Sequence, residues 1–204
     1  MFSSEKTVKL LIRRTLDQKE QILLVHEKGE VAAGGKPAGW GLPGGGVKSH
    51  EGDIFTQITK ILPVEVRIPA EGGGVRLMTE TEYVSFLKMV TELPCISEPK
   101  VLLTAVKEGI EETGFLLKPV RELFREPTRG DHEVILVDCE IIIGRLSKHS
   151  TETDDVDWFE LENLPQGNLP KGLYKSDAGR IARGMEILRQ PEQEQYSEKE
   201  SVYE

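Results

Sequence analysis

Apolar and polar positions along the chain fall into short runs that predict strands interspersed with helices. Thr7–Leu16 (TVKLLIRRTL) and Gln21–His26 (QILLVH) read as two strands joined by the polar turn Asp17–Glu20. His132–Ile143 (HEVILVDCEIII) is the densest apolar run and predicts a third strand. Trp158–Leu164 reads as a strand leading into a turn, and Asp177–Arg189 as a final helix. Ala32–Gly46 (AAGGKPAGWGLPGGG) is a glycine-rich loop with Trp40 and Leu42 as apolar anchors. Asp53–Leu62 is weakly helical, with Asp53 placed to cap it.

A separate pattern occupies the middle of the chain. Val64–Ile68 and Val75–Met78 flank PAEGGG, which predicts a hairpin with a loose glycine turn. Thr79 and Glu82 have capping-box spacing, and Tyr83, Phe86, Leu87 and Val90 follow at helical intervals up to Pro94. Ser97 then reads as the N-cap of a second helix, with Pro99 in its permissive first turn. That helix runs to Thr113, where Gly114 suits the left-handed position that ends helices. The pattern implies one α/β domain over 1–189, interrupted by an insert at 52–98, with a polar, mobile tail over 190–204.

Composition narrows the function classes. The 204 residues carry a net charge of −9, which argues against binding a nucleic-acid polymer, since that needs clustered Lys and Arg. No apolar run approaches the roughly 20 residues that span a bilayer. The start, MFSSEKTVKLLIRR, lacks a signal peptide's apolar core, so a cytoplasmic protein with no membrane partner is expected. Cys95 and Cys139 form neither a metal-ligand spacing nor a disulfide framework.

The chemistry concentrates in VKEGIEETGF, Val106–Phe115. Positions i, i+3 and i+4 share a helix face, so Glu108, Glu111 and Glu112 would project together and repel one another. Lys107 reaches Glu111 at i+4, and a divalent cation would relieve the remaining repulsion, because Mg²⁺ and Mn²⁺ take oxygen ligands. Alone, three such carboxylates at a helix end read as solvated surface. The loop Leu42-Pro43-Gly44-Gly45-Gly46-Val47, followed by Glu51, changes that balance, because its glycines allow close backbone approach.

Together these residues resemble the Nudix hydrolase family, whose signature runs G-x5-E-x7-R-E-U-x-E-E-x-G-U with U a bulky aliphatic. Gly45 and Glu51 match its first half; Glu108, Glu111, Glu112, Gly114 and Phe115 match its second. Three departures stand out. Lys107 replaces the arginine, Gly109 replaces a bulky aliphatic, and 55 residues separate Glu51 from Lys107 where the signature has seven.

The resemblance implies an α/β/α sandwich with a mixed sheet between helices, here carrying an inserted hairpin-helix segment. It implies hydrolysis of a pyrophosphate bond in a nucleoside diphosphate linked to another moiety, by water attack at phosphorus with Mg²⁺ or Mn²⁺. Glu108, Glu111 and Glu112 would hold the metal, with Lys107 orienting a carboxylate and Glu51 bracing the loop or binding metal through water. Gly44 and Gly45 would offer backbone to substrate, and Arg129 or Arg125 a cation to phosphate. The general base stays open among the signature helix, Glu133, Glu152, Asp154 and Asp155, while His132 is a further candidate for substrate contact. The competing reading is a Nudix-like module that binds nucleotide without cleaving it. The insert is expected to cap the site or make a homodimer contact, since Tyr83, Phe86, Leu87 and Val90 must be buried somewhere.

Overall fold

A computed structural model describes residues 6–29, 36–47, 67–69, 74–91, 98–128, 130–144, 146 and 153–190. Strands β1 (Lys6–Leu16) and β2 (Lys19–Glu27) form an antiparallel hairpin in which Leu16 opposes Lys19. Its two turn residues, Asp17 and Gln18, both have positive φ (50° and 65°), the backbone that lets a two-residue turn follow the twist of its strands. β1 then parts from β2. Thr7, Val8 and Lys9 pair antiparallel with β4 (Gly44–Gly46), and β1 from Lys6 to Ile12 pairs in parallel with β8 (Glu133–Gly144).

The sheet has seven strands in the order β3-β2-β1-β8-β7, with β4 on β1 and β9 (Thr153–Glu160) on β2. β3 is Gly39–Gly41 and β7 is Phe115–Pro127. One of these findings corrects the reading of the sequence, and another adds an element that it did not assign. The glycine-rich stretch expected as loop contributes two short strands, β3 and β4. The charged, proline-containing stretch after Gly114 is the longest strand among the described residues. Pro119 fits there because β7 lies at the sheet edge and the register shifts beside it.

Helices cover both faces. β1 alternates Val8, Leu10 and Ile12 toward one face and Leu11 toward the other. On the first face lies α2 (Pro99–Glu108), which buries Val101, Leu102, Ala105 and Val106. On the second lies α3 (Lys175–Arg189), which buries Ile181 and Met185 against Leu11, Ile22, Leu24 and Leu136. The result is an α/β/α sandwich around a mixed sheet.

The middle segment adds the hairpin β5 (Arg67–Pro69) and β6 (Val75–Leu77), then α1 (Glu80–Thr91). The expected capping box is present: Thr79 N–H donates to Glu82 Oε2 at 2.9 Å and Glu82 N–H donates to Thr79 Oγ1 at 3.3 Å. Tyr83 and Phe86 are buried in the same cluster as Val101 and Ala105. These two apolar residues are therefore consumed by the chain's own core. Downstream, Glu98 stands at the start of α2 and is held by Lys6 (2.7 Å) and by Arg125 (2.7 Å). The expected helix at Asp53–Leu62, the Ser97 cap, Pro94, Cys95 and the tail beyond Gln190 lie outside the described residues. Among the described residues no helix is long and apolar enough to cross a membrane.

Candidate active site

The carboxylates do not sit on one continuous α-helix. Regular α-geometry ends at Glu108, and Gly109–Thr113 forms a single π turn closed by Gly114 at φ 75°. Packing supplies the reason. A methyl group on Gly109 would lie 2.5 Å from Leu117 Cδ1, so the absence of a side chain lets this turn press onto β7. Thr113 Oγ1 also donates to Gly109 O at 2.5 Å. The glycine that departs from the family pattern thus has a structural cause in this chain.

The three glutamates divide accordingly. Glu108 and Glu112 are buried, continuing the inward face of Val101 and Ala105, whereas the Glu111 side chain is 42% exposed. Lys107 Nζ lies between two of them, 2.9 Å from Glu108 Oε1 and 2.8 Å from Glu111 Oε2. Burial pulls the Lys107 ammonium's pKa down, but its bonds to Glu111 and Glu108 outweigh this and hold it above the ordinary lysine value.

The glycine strand β4 meets this helix. Gly44 N–H donates to Glu112 Oε2 at 2.7 Å. A methyl group on Gly45 would lie 2.5 Å from Glu108 Cδ, so only glycine admits that carboxylate so close. Burial pushes the Glu112 carboxyl up to about 7; Glu108 and Glu27 add to this, while Gly44 N–H and the Lys9 ammonium oppose it. Lys9, Glu27 and Asp177 belong to this neighbourhood and were missed in the sequence. The one available signal was Lys9 itself, a lone charge inside the apolar run Val8–Ile12.

The other candidates fall elsewhere or are already engaged. Arg125 is bonded to Glu122, Glu98 and Glu133, which also occupies Glu133. Asp154 Oδ1 lies 2.6 Å from His26 Nδ1, and Asp155 Oδ1 accepts Val156 N–H at 2.9 Å. His132 Nε2 lies 3.2 Å from Thr7 Oγ1. Glu51, Arg129 and Glu152 lie outside the described residues.

The donors suit a hard divalent cation in chemistry: closely spaced carboxylates, two of them buried, one of which is pushed up to about 7 chiefly by that burial. Among the described residues, however, no three His, Cys, Asp or Glu side chains already surround one point, and the Lys107 ammonium stands between Glu108 and Glu111.

Solved structures share this architecture. A UDP-X diphosphatase superposes at a TM-score of 0.51 with 17% identity, over 93% of this chain and 64% of that one. The chain thus spans under two thirds of that protein's length. A NUDIX hydrolase from Nitrosomonas europaea gives 0.51 with 13% identity, over 94% and 95% of the two chains. The NUDIX domain of Shewanella oneidensis NrtR, complexed with ADP ribose, gives 0.50 with 16% identity, over 92% and 90%. The fold is the Nudix fold. At these identities the likeness to Nudix proteins is one of architecture. No family model matches the chain. No curated protein matches it either.

Proposed function

We propose that the chain is a Nudix-type pyrophosphohydrolase that cleaves a nucleoside diphosphate joined to another moiety, with Mg²⁺ or Mn²⁺ held by Glu108, Glu111 and Glu112. The observation that carries this reading is the junction of the two half-motifs, with Gly44 N–H on Glu112 and Gly45 against Glu108. Residues 1–189 form the catalytic domain in this reading, with 52–98 as its insert and the cytoplasm as its location. The substrate class draws on the UDP-X diphosphatase and on the ADP ribose bound to the NrtR domain.

Each residue has a physical task. A bound divalent cation neutralises phosphate oxygens and lowers the pKa of water. Glu112 fixes the glycine strand through Gly44. Lys107 orients Glu108 and Glu111 and offsets their charge. Gly44 and Gly45 bring backbone close to the substrate phosphates, with Glu51 and Arg129 proposed as supporting groups.

The second reading, a module that binds nucleotide without hydrolysis, is favoured by the Lys107 ammonium between Glu108 and Glu111. Incubation with Mg²⁺ or Mn²⁺ and a panel of nucleoside diphosphate derivatives separates the two. Turnover is expected, with Glu111→Gln and Glu112→Gln each lowering kcat at least about 100-fold. Nucleotide binding without turnover of any panel member would select the binding module. Near-normal rates in both variants would remove these glutamates from the machinery.

A further inference from the structure

The Leu42 peptide, two residues before Gly44, is gripped at both ends by buried charges. Lys9 Nζ donates to Leu42 O at 2.8 Å. Asp177 Oδ2 accepts Leu42 N–H at 3.0 Å. Only 8% of Lys9 and 2% of Asp177 is exposed. Buried charges are costly unless paired and hydrogen-bonded, and their surroundings here meet that need. Lys9 Nζ lies 3.8 Å from Glu27 Oε1 and 4.0 Å from Asp177 Oδ2. The other Asp177 oxygen accepts from Arg180 at 2.7 Å, and Arg180 reaches Glu126 on β7.

The two charges aim their short bonds at the backbone between them rather than at each other. Leu10 N–H donates to Pro43 O at 2.8 Å, extending the grip by one residue. Lys9 comes from β1 and Asp177 from α3, so this side of the loop is held by elements distinct from the carboxylate helix. From α2 and its π turn come the opposing contacts, Glu112 on Gly44 and Glu108 against Gly45.

We propose that Lys9 and Asp177 are positioning residues: they fix the Leu42 peptide and thereby keep Gly44 and Gly45 in register with Glu112 and Glu108. The catalytic consequence rests on the hydrolase reading above, whereas the mechanical part does not.

Amide exchange followed by NMR on the intact chain tests the clamp in Lys9→Met and Asp177→Ala. The Gly44 amide should exchange at least about tenfold faster, while Ile135 and Val137 in β8 keep their protection. With a substrate from the panel, kcat should fall at least about tenfold with KM little changed, and Lys9→Arg, which keeps a donor, should recover part of the loss. Asp177→Asn, which retains an oxygen for Leu42 N–H, is the milder variant if Asp177→Ala does not fold. Unchanged Gly44 exchange in folded variants would overturn the proposal. Equal acceleration at Gly44 and throughout β8 would also overturn it, by making the role one of general stability. Should the unmodified protein turn over no nucleotide, the exchange data still decide on the clamp, so the two readings fail separately.

Discussion

Gly44 donates its backbone N–H to Glu112 across 68 residues of sequence, at 2.7 Å. Through this bond and the neighbouring contact of Gly45 with Glu108, the glycine strand meets the carboxylate helix. The two glycines answer to different constraints, which makes them separable by substitution.

Gly44 has φ +147°, and a methyl group there would overlap the Val8 carbonyl oxygen and approach Lys9 Cα to 3.0 Å. Gly44→Ala is expected to cost at least about 2 kcal/mol in urea unfolding. Gly45→Ala meets only the end of the Glu108 side chain, so its stability should change by less than about 1 kcal/mol. In the proposed hydrolase reading its activity should nevertheless fall at least about tenfold, because Glu108 must move. Equal stability losses in the two variants would refute this distinction.

Gly109 reverses the usual expectation for a helical glycine. Alanine gains about 1 kcal/mol over glycine in helix propensity. Here, however, a side chain would meet Leu117 Cδ1 at 2.5 Å. Introducing the aliphatic residue of the Nudix signature with Gly109→Ile should therefore destabilise by about 1–3 kcal/mol. Adding Leu117→Ala should recover part of that loss, as measured in a double-mutant cycle. A stabilised Gly109→Ile variant would rule out the packing explanation.

Glu112 makes stability depend on pH. Its carboxyl is held at about 7 in the folded chain against an ordinary value of 4.5, chiefly by burial. The folded state therefore binds the proton more tightly, and between these values folding takes one up. Stability should fall as pH rises from about 4.5 to about 7 and then level off, by up to about 3 kcal/mol. Glu112→Gln keeps an oxygen for Gly44 N–H and should flatten this slope, becoming the more stable form at pH 8. Urea titrations at pH 5 and pH 8 measure both effects; parallel profiles would exclude Glu112 as their source.

Two substitutions in α1 should act with opposite signs. Phe86 is buried in the main core, so Phe86→Ala should cost about 3–5 kcal/mol. Tyr83 buries its hydroxyl without a hydrogen-bond partner among the described residues, and burial raises the pKa of that phenol. Removing an unsatisfied buried group relieves its desolvation penalty, so Tyr83→Phe should stabilise by about 1–2 kcal/mol. Thermal or urea unfolding checks both, and a loss in Tyr83→Phe would point to a hydrogen bond from that hydroxyl.

Local signals were legible in the sequence where local physics decides. The β1–β2 hairpin, the Thr79–Glu82 box and the left-handed Gly114 were all expected from short-range pattern. β7 escaped because Phe115–Pro127 has too little alternation to declare itself. Its pairing with β8 makes it a strand. The same holds for β3 and β4, whose glycines carry little strand preference and take their form from β2 and β1. Within the site, the acidic residues and the glycine loop were visible, but the π turn depends on Leu117 and could not be read from spacing. Lys9 and Asp177 lie far apart in the chain, and their joint hold on Leu42 exists only once β1 and α3 are in place.

The anchoring of Glu98 bears on how the half-motifs tolerate their separation. Lys6 and Arg125 fasten the chain at Glu98, the residue immediately before α2 and ten positions before Glu108. The carboxylate helix is thus phased from this fastening and not from the end of β4. Residues added upstream alter the route by which the chain arrives without rotating Glu108 or Glu112. Closing a longer detour is thermodynamically mild, with about 0.6 kcal/mol for each doubling of a flexible loop. Distance along the chain is consequently a poor measure of whether such a signature is intact, and its two halves are best sought as independent words.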